Sequence, residues 1–540
     1  MEAAPARGGA PAPEIEKCVA DTEDVELAPV AAADGHGEER VPPWREQVTA
    51  RGLVAALLIG FVYTVIVLKL ALTTGIIPTL NVSAALLAFL ALRGWTRALG
   101  RLRLGGGGGD PLPFTRQENT VVQTCAVACY TMAFGGGFGS SLLALDKKTY
   151  ELAGVNTPGN APGSYKEPGV GWMTGFLLAI SFVGLLNLLP LRKSFLCIAL
   201  IMGDGLYQFI KVMVITVNSL HERSNNKHKK VKNEDTIAED DMTKHDEVFN
   251  TDSIPNWLAY TGYVLLSIIA IIAIPIMFRQ VKWYYVIVAY VLAPVLGFSN
   301  AYGTGLTDVN MSYNYGKVAL FIFAAWGGKD NGVIAGLVGC GIVKQLVQVS
   351  ADLMHDFKTG HLTLTSPRSM LVGQVIGTAM GCVISPLTFM LFFRAFDIGN
   401  PDGYWKAPYA LIFRNMAVLG VQGVSALPAH CLELSVGFFA FAVLANLARD
   451  FMPRRYRSCV PLPTAMAVPF LVGASFAIDM CVGSLVVFAW RKANREEAAL
   501  LVPAVASGFI CGDGIWTFPS SLLSLAKLKP PICMKFTPGS

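Results

Sequence analysis

Two carboxylates, Asp204 and Asp513, each stand between two glycines inside an otherwise apolar run. The first run, Phe195 to Phe209 (FLCIALIMGDGLYQF), is interrupted by Gly203-Asp204-Gly205. The second, Ala504 to Phe518 (AVASGFICGDGIWTF), is interrupted by Gly512-Asp513-Gly514, with Ile515-Trp516 standing where Leu206-Tyr207 stand in the first. An ionisable side chain at membrane depth is costly and marks an ion or substrate path, and paired interrupted helices point to a site at the midplane of a duplicated transporter. The chemistry this predicts is proton coupling, because a carboxyl taken out of water can bind and release a proton as access alternates. The competing role is local: each carboxylate caps the exposed N–H groups of the helix that restarts after the break. Glu433 and Asp479 are further acids within apolar blocks, while Lys211 and Lys344 lie nearer helix ends.

The elements that must position these groups are membrane helices. Of 540 residues 53% are hydrophobic and 15% charged, mean hydropathy is +0.48, and the apolar residues fall in long blocks, a pattern a soluble core cannot absorb. The net charge of +5 says little about partners, and nothing suggests nucleic acid. Spans of about 20 apolar residues, enough for a bilayer core, are expected at 53–72, 76–92, 170–189, 257–278, 283–298, 370–393, 407–427, 431–447, 463–490 and 498–525. With the interrupted runs they predict an all-α polytopic membrane protein of about a dozen helices in two related halves. Residues 1–50 read as a disordered acidic tail, 51–217 as an N-terminal membrane half, 218–255 as a charged loop and 256–540 as a C-terminal half. No basic and apolar leader opens the chain, so targeting is expected from the first span. Arg40, Arg45 and Arg51 before the first hairpin and Arg93, Arg97, Arg101 and Arg103 after it place the tail in the cytosol.

Within this frame Asn119 to Leu145 is unusual. It opens with Asn119, Thr120, Gln123 and Thr124, continues through Tyr130, and is broken by Gly135-Gly136-Gly137 and Gly139. Such glycines allow close helix packing or turn backbone carbonyls into a cavity. The 11 cysteines show no CxxC and read as buried thiols. No HExxH, GxSxG or Cys/His cluster supports an enzyme, and neither a resident metal nor a cofactor is expected.

The run Asn119 to Gly154, GWMTGFLLAISFVGLLNLLPLRK at 171–193, IALIMGDGLYQF at 198–209, GFSNAYGTGLTDVNMSYNYGKVALFIFAAWGG at 297–328, Gly336 to Ser385 and the tail ICGDGIWTFPSSLL closely resemble the yellow stripe-like branch of the plant oligopeptide transporter family. The resemblance covers nearly all of the chain from about residue 45. It implies proton-coupled movement of metal ions chelated by nicotianamine or mugineic-acid-type phytosiderophores, at the plasma membrane, with an internal membrane as the alternative. One departure stands out. The family carries a sizeable membrane portion with a PSGTATA-type motif after the position of Lys193, whereas here Leu189-Pro190-Leu191-Arg192-Lys193 runs almost directly into Phe195. The chain is therefore read as internally shortened, with less wall around its central cavity. Two rivals to a working symporter remain, a shortened non-transporting form and a channel.

If the cargo is a polyamino-carboxylate chelate, the residues expected to touch it are Gln123, Tyr130, Tyr207, Asn300, Thr304, Asn310, Arg414 and Trp516. Asn300, Thr304 and Asn310 lie in Ser299 to Tyr315, too polar to face lipid, and are read as a re-entrant, substrate-facing element or an external loop. Arg414 could pair with chelate carboxylates. Proton coupling falls to Asp204, Asp513 and Glu433. Asp352, His355 and Asp356 share one helix face and are read as a helix end in the cytosol rather than as a metal site. His221, His228 and His245 lie in the charged loop without metal-ligand spacing. The sequence sets no oligomeric state.

Overall fold

The computed structural model describes residues 42–73, 75, 80–102, 114–155, 157–186, 254–307, 310–401, 403, 405–423, 431–452, 463, 466 and 474–525. Among these residues every regular element is helical. After one turn at Trp44–Gln47 come α1 (Ala50–Thr73), α2 (Asn81–Leu102), α3 (Arg116–Gly135), the short α4 (Lys147–Leu152), α5 (Val170–Leu186), α6 (Asn256–Met277), α7 (Trp283–Thr307), α8 (Ser312–Leu362), α9 (Pro367–Ala395), α10 (Pro408–Gln422), α11 (Cys431–Phe451), α12 (Ala474–Ala493) and α13 (Arg495–Leu525). Five of them, α1, α6, α7, α8 and α9, are long and apolar enough to cross a bilayer. The protein is an all-α, multi-pass integral membrane protein.

Its centre is α3, wrapped by α1, α9 and the long arm of α8. Gly373, Gly377 and Gly381 recur every fourth residue on α9 and so share one face. A Cβ at Gly377 would lie 2.2 Å from the Cys125 carbonyl oxygen, and one at Gly381 would lie 2.4 Å from that of Cys129. Only glycine permits this approach, which replaces hydrophobic drive with close backbone packing. On the other flank a Cβ at Gly60 of α1 would stand 2.9 Å from the Cys129 Cβ. Cys125 and Cys129 thus fill the seams of α3, and with Cys340 and Cys382 they are free and buried as expected, whereas Cys481 of α12, also expected to be buried, is exposed.

α8 reverses direction within its length. Gly328 has φ 69° and ψ −167°, outside the helical region and in the positive-φ range that favours glycine. The two arms run antiparallel, with Gly332 against Ala324, Gly336 against Leu320 and Ala324, and Gly316 against Cys340 and Lys344. The arm before Gly328 is roughly 24 Å long at 1.5 Å per residue, short of the ~30 Å hydrocarbon core. It is one leg of a helical hairpin, and the arm after Gly328 is the most deeply buried helix of the described residues.

Several expectations change here. The helix expected to break at Gly512-Asp513-Gly514 runs on through all three as part of α13. A glycine weakens a helix by only about 1 kcal/mol, and α13 also absorbs Pro503 and Pro519. Most of the stretch 299–315 is helical and not a re-entrant loop: α7 continues to Thr307 and α8 begins at Ser312. Asp352 to Asp356 lies inside α8 and not at its end, with Asp356 only 1% exposed. The break expected near Gly135 is present. α3 stops there, Gly137 takes φ 83°, and a 3-10 turn at Leu143–Leu145 leads into α4.

The two ends of the bundle are closed differently. At one, Arg51 Nε and Nη2 donate to Glu118 Oε1 and Oε2 at 2.7 and 2.6 Å, and Thr49 Oγ1 joins Oε1 at 2.5 Å. At the other, Lys148 pairs with Asp397, and the Lys166 Nζ donates to the Met277 carbonyl at 2.5 Å.

Candidate functional site

The long arm of α8 carries Lys344, Gln348, Asp352 and Asp356 at four-residue steps, which stack on one helix face. Lys344 and Asp352 are eight residues apart, about 12 Å along the axis. Lys344 is fully buried. Its Nζ donates to the Phe134 carbonyl at 2.9 Å and to Ser140 Oγ at 3.1 Å, and lies 3.9 Å from the centroid of the Tyr313 ring. Phe134 is in the last turn of α3, where carbonyls lack helical partners and the helix dipole is negative. The ammonium therefore caps α3 at its glycine stop. Among the described residues no carboxylate stands within ion-pairing distance of Lys344. A buried cation held only by dipoles and a ring keeps positive potential for an incoming anion.

The rest of the column is amide and acid. Gln345 Nε2 donates to Ser181 Oγ of α5 at 3.1 Å, while its Oε1 is buried without a hydrogen bond. Gly135 makes room for it, since a Cβ there would sit 2.1 Å from that oxygen. Gln348 accepts from Ser312 Oγ at 2.5 Å and donates to Asp352 Oδ2 at 2.9 Å, so one amide joins the base of the hairpin's short arm to an acid on its long arm. Asp356 Oδ2 accepts from Gln374 of α9.

Some of the residues expected from the sequence meet at this column. Asn300 is 1% exposed and donates to Asn310 Oδ1 at 2.9 Å and, at 3.4 Å, to the Val347 carbonyl of α8. Asn310 Oδ1 also accepts from the backbone of Ser312, and Asn300 Oδ1 from that of Met311, so the pair ties α7 to the start of α8. Thr304 spends its hydroxyl on the Asn300 carbonyl. Tyr130 is buried on α3, faces Asp352 and Asp356, and donates to Asn81 Oδ1 at 2.6 Å. Gln123 is buried on the same helix.

Others fall elsewhere. Arg414 is fully buried, but its guanidinium donates to the Ala144 carbonyl, Asn160 Oδ1 and both the carbonyl and Oγ of Ser164 at 2.8–2.9 Å, and lies 4.9 Å from the Tyr150 ring. It fastens the connector between α3 and α5 and does not face the Lys344 column. Trp516 is 67% exposed on the outer face of α13, away from the column. Gly203, Asp204, Gly205 and Tyr207 lie outside the described residues, as do the side chains of Glu433 and Asp513. The histidines of the charged loop are outside them too. Among the described residues no group of three or more His, Cys, Asp or Glu could hold a metal ion.

Lys344, Gln348, Asp352 and Asp356 were within reach of the sequence. The signal is a polar residue every fourth position through the apolar stretch that starts at Ile334, a stripe too narrow to face solvent.

Near the Lys148–Asp397 pair lies an open cleft of about 390 Å³, lined in part by Asp146, Glu167 and Lys148. Asp146 caps α4 through the backbone N–H of Lys148. Burial, helped by the neighbouring Glu167 carboxyl, pushes Asp146 from 3.8 up to about 6. The hydrogen bond from Lys148 holds Asp397 below the usual carboxylate range.

The family described as OPT oligopeptide transporter protein matches residues 47–197 and 193–524, two segments that meet at the join anticipated near Lys193. The chain is 64% identical to the rice (Oryza sativa subsp. japonica) metal-nicotianamine transporter YSL2 over 677 positions, covering 98% of this chain and all of the relative. It is 55% identical to the maize (Zea mays) iron-phytosiderophore transporter yellow stripe 1 over 672 positions, covering 98% of each. It is 49% identical to the Arabidopsis thaliana metal-nicotianamine transporter YSL3 over 652 positions, covering 94% of this chain and 95% of the relative. An alignment of 677 positions against a chain of 540 residues leaves at least 137 positions that this chain does not fill.

Proposed function

Since this chain belongs to the oligopeptide transporter family, we propose that it moves iron and other transition metals across a plant membrane as intact complexes with nicotianamine or mugineic-acid phytosiderophores, by proton symport. The observation that carries the cargo class is Lys344, a buried cation without an ion-pair partner among the described residues, in a column otherwise lined by amides and acids. A chelate of this kind presents carboxylates and amines. Lys344 supplies the positive charge that a carboxylate seeks, Gln345 and Gln348 offer amide groups beside it, and Asn300 and Asn310 tie the end of α7 to the start of α8. The metal stays inside its chelator, so the transporter needs no metal ligands of its own. Asp204, Asp513 and Glu433 remain sequence-level candidates for coupling, and the plasma membrane is the site of action.

The internal gap favours a second reading, a shortened chain that reaches the membrane and does not transport. Uptake of ferric-phytosiderophore and ferrous-nicotianamine by tagged chain in oocytes, with surface labelling, separates the two. Metal gain that rises with an inward proton gradient supports the symporter. Surface protein with no metal gain supports the inactive form.

A further inference from the structure

Asp352 and Asp356 are an acid pair that the sequence placed at a helix end; the fold buries Asp356 and half-buries Asp352 inside α8. They stand four residues apart on one face of α8, and the hydrogen-bonding accounts of the two differ. Asp356 is 1% exposed; its Oδ2 accepts from Gln374, and its Oδ1 is fully buried with no hydrogen-bond partner. Asp352 Oδ2 accepts from Gln348, and Thr131 of α3 and Asn310, just before α8, flank it. The other titratable groups facing the pair are Tyr130 of α3, toward both acids, and His355 of α8 itself, toward Asp352. From α9 the neutral Gln374 donates to Asp356. No lysine or arginine pairs with either acid among the described residues.

Two adjacent carboxylates in such a place cannot both stay ionised, and a buried oxygen without a donor is a group whose partner is missing. We propose that Asp352 and Asp356 hold one proton between them and that its gain and loss, relayed through Gln348, is the coupling step of transport. With the proton present, the Asp356 Oδ1 edge becomes an O–H donor toward Asp352. With it gone, two like charges face each other and Asp352 draws harder on the Gln348 amide. That amide's oxygen holds Ser312, the first residue of the hairpin's short arm. The proton therefore reports to the arm that packs against the column at Lys344, entering from water on one side of the membrane and leaving to water on the other. This inference rests on the transport reading above and adds the group that carries the proton.

Two measurements on the full-length chain test it. The first is infrared difference spectroscopy of the purified protein in lipid at neutral pH, comparing wild type with Asp356→Asn and Asp352→Asn. The expected result is a protonated-carboxyl C=O band that is lost in Asp356→Asn and lost or shifted in Asp352→Asn. Spectra in which either variant removes only an ionised carboxylate band overturn the shared proton, whether or not the chain transports. The second compares gradient-driven accumulation with exchange of ferrous-nicotianamine in proteoliposomes. Both variants should lose accumulation against a chelate gradient while retaining exchange. A variant that still accumulates under a proton gradient overturns the coupling role. A wild type that moves no chelate overturns that role for this chain and the transport reading with it, and the infrared result still decides the proton.

Discussion

Replacing Arg414 by methionine separates a structural arginine from a cargo-binding one. The guanidinium makes four hydrogen bonds to Ala144, Asn160 and Ser164, all in the connector between α3 and α5, from a fully buried position. Methionine fills much of the volume but leaves these acceptors without a donor, at about 1–3 kcal/mol for each one that water cannot reach. Losing the buried charge removes a desolvation penalty that offsets part of this, so of the four acceptors' combined cost about 3–5 kcal/mol remains. At roughly 2 °C per kcal/mol for a long chain, the melting midpoint should fall by about 6–10 °C. Arg414→Lys should recover only part of the loss, because one ammonium cannot reach acceptors arrayed around a planar fork. The assay is thermal unfolding of the detergent-purified chain followed by size exclusion. An Arg414→Met protein that melts with wild type yet fails to bind chelate would refute the structural assignment and restore the arginine to the cargo site.

Other predictions follow from the same contacts. Gly377→Val should lower the melting midpoint sharply, since even a Cβ would lie 2.2 Å from the Cys125 carbonyl and overpacking costs about 1–3 kcal/mol or more. Gly171→Ala, with nothing within 4 Å of the new Cβ, should melt as wild type does. Asp146, raised from 3.8 to about 6, binds its proton more tightly folded than unfolded. Its stabilising contribution is therefore complete below the unfolded value and is lost as pH rises through about 6. The ceiling is about 3 kcal/mol, from 1.36 kcal/mol per pH unit. At pH 5, already above the unfolded value, about 1.4 kcal/mol of it is left to lose, so melting midpoints at roughly pH 5 and pH 8 should show that smaller fall in wild type, and Asp146→Asn, which can still cap α4, should flatten it.

What the sequence disclosed and what it hid divide along physical lines. Helix existence and most helix bounds were legible because a 20-residue apolar block has few alternatives: the span expected at 53–72 is Ala50–Thr73, and that at 431–447 is Cys431–Phe451. Breaks were harder. Glycine permits a break without demanding one, so Gly512 and Gly514 stay helical in α13, whereas Gly328, unremarkable in the chain, turns α8 back on itself because its arms interlock through Gly332 and Gly336. Polar residues were assigned by type alone, and type does not reveal partners. Arg414 is consumed by the connector, while Asn300 and Asn310, 10 residues apart, find each other. Lys344 gained its standing only once the end of α3 was placed against it.

The most direct test of the account is binding and uptake of ferrous-nicotianamine by wild type and Lys344→Gln, matched for surface expression. Wild type should show saturable, proton-stimulated uptake, and the variant should lose at least tenfold in apparent affinity, the size of one charge-assisted hydrogen bond worth about 1.5–3 kcal/mol. Saturable uptake unchanged by Lys344→Gln would show that the cargo does not meet this column.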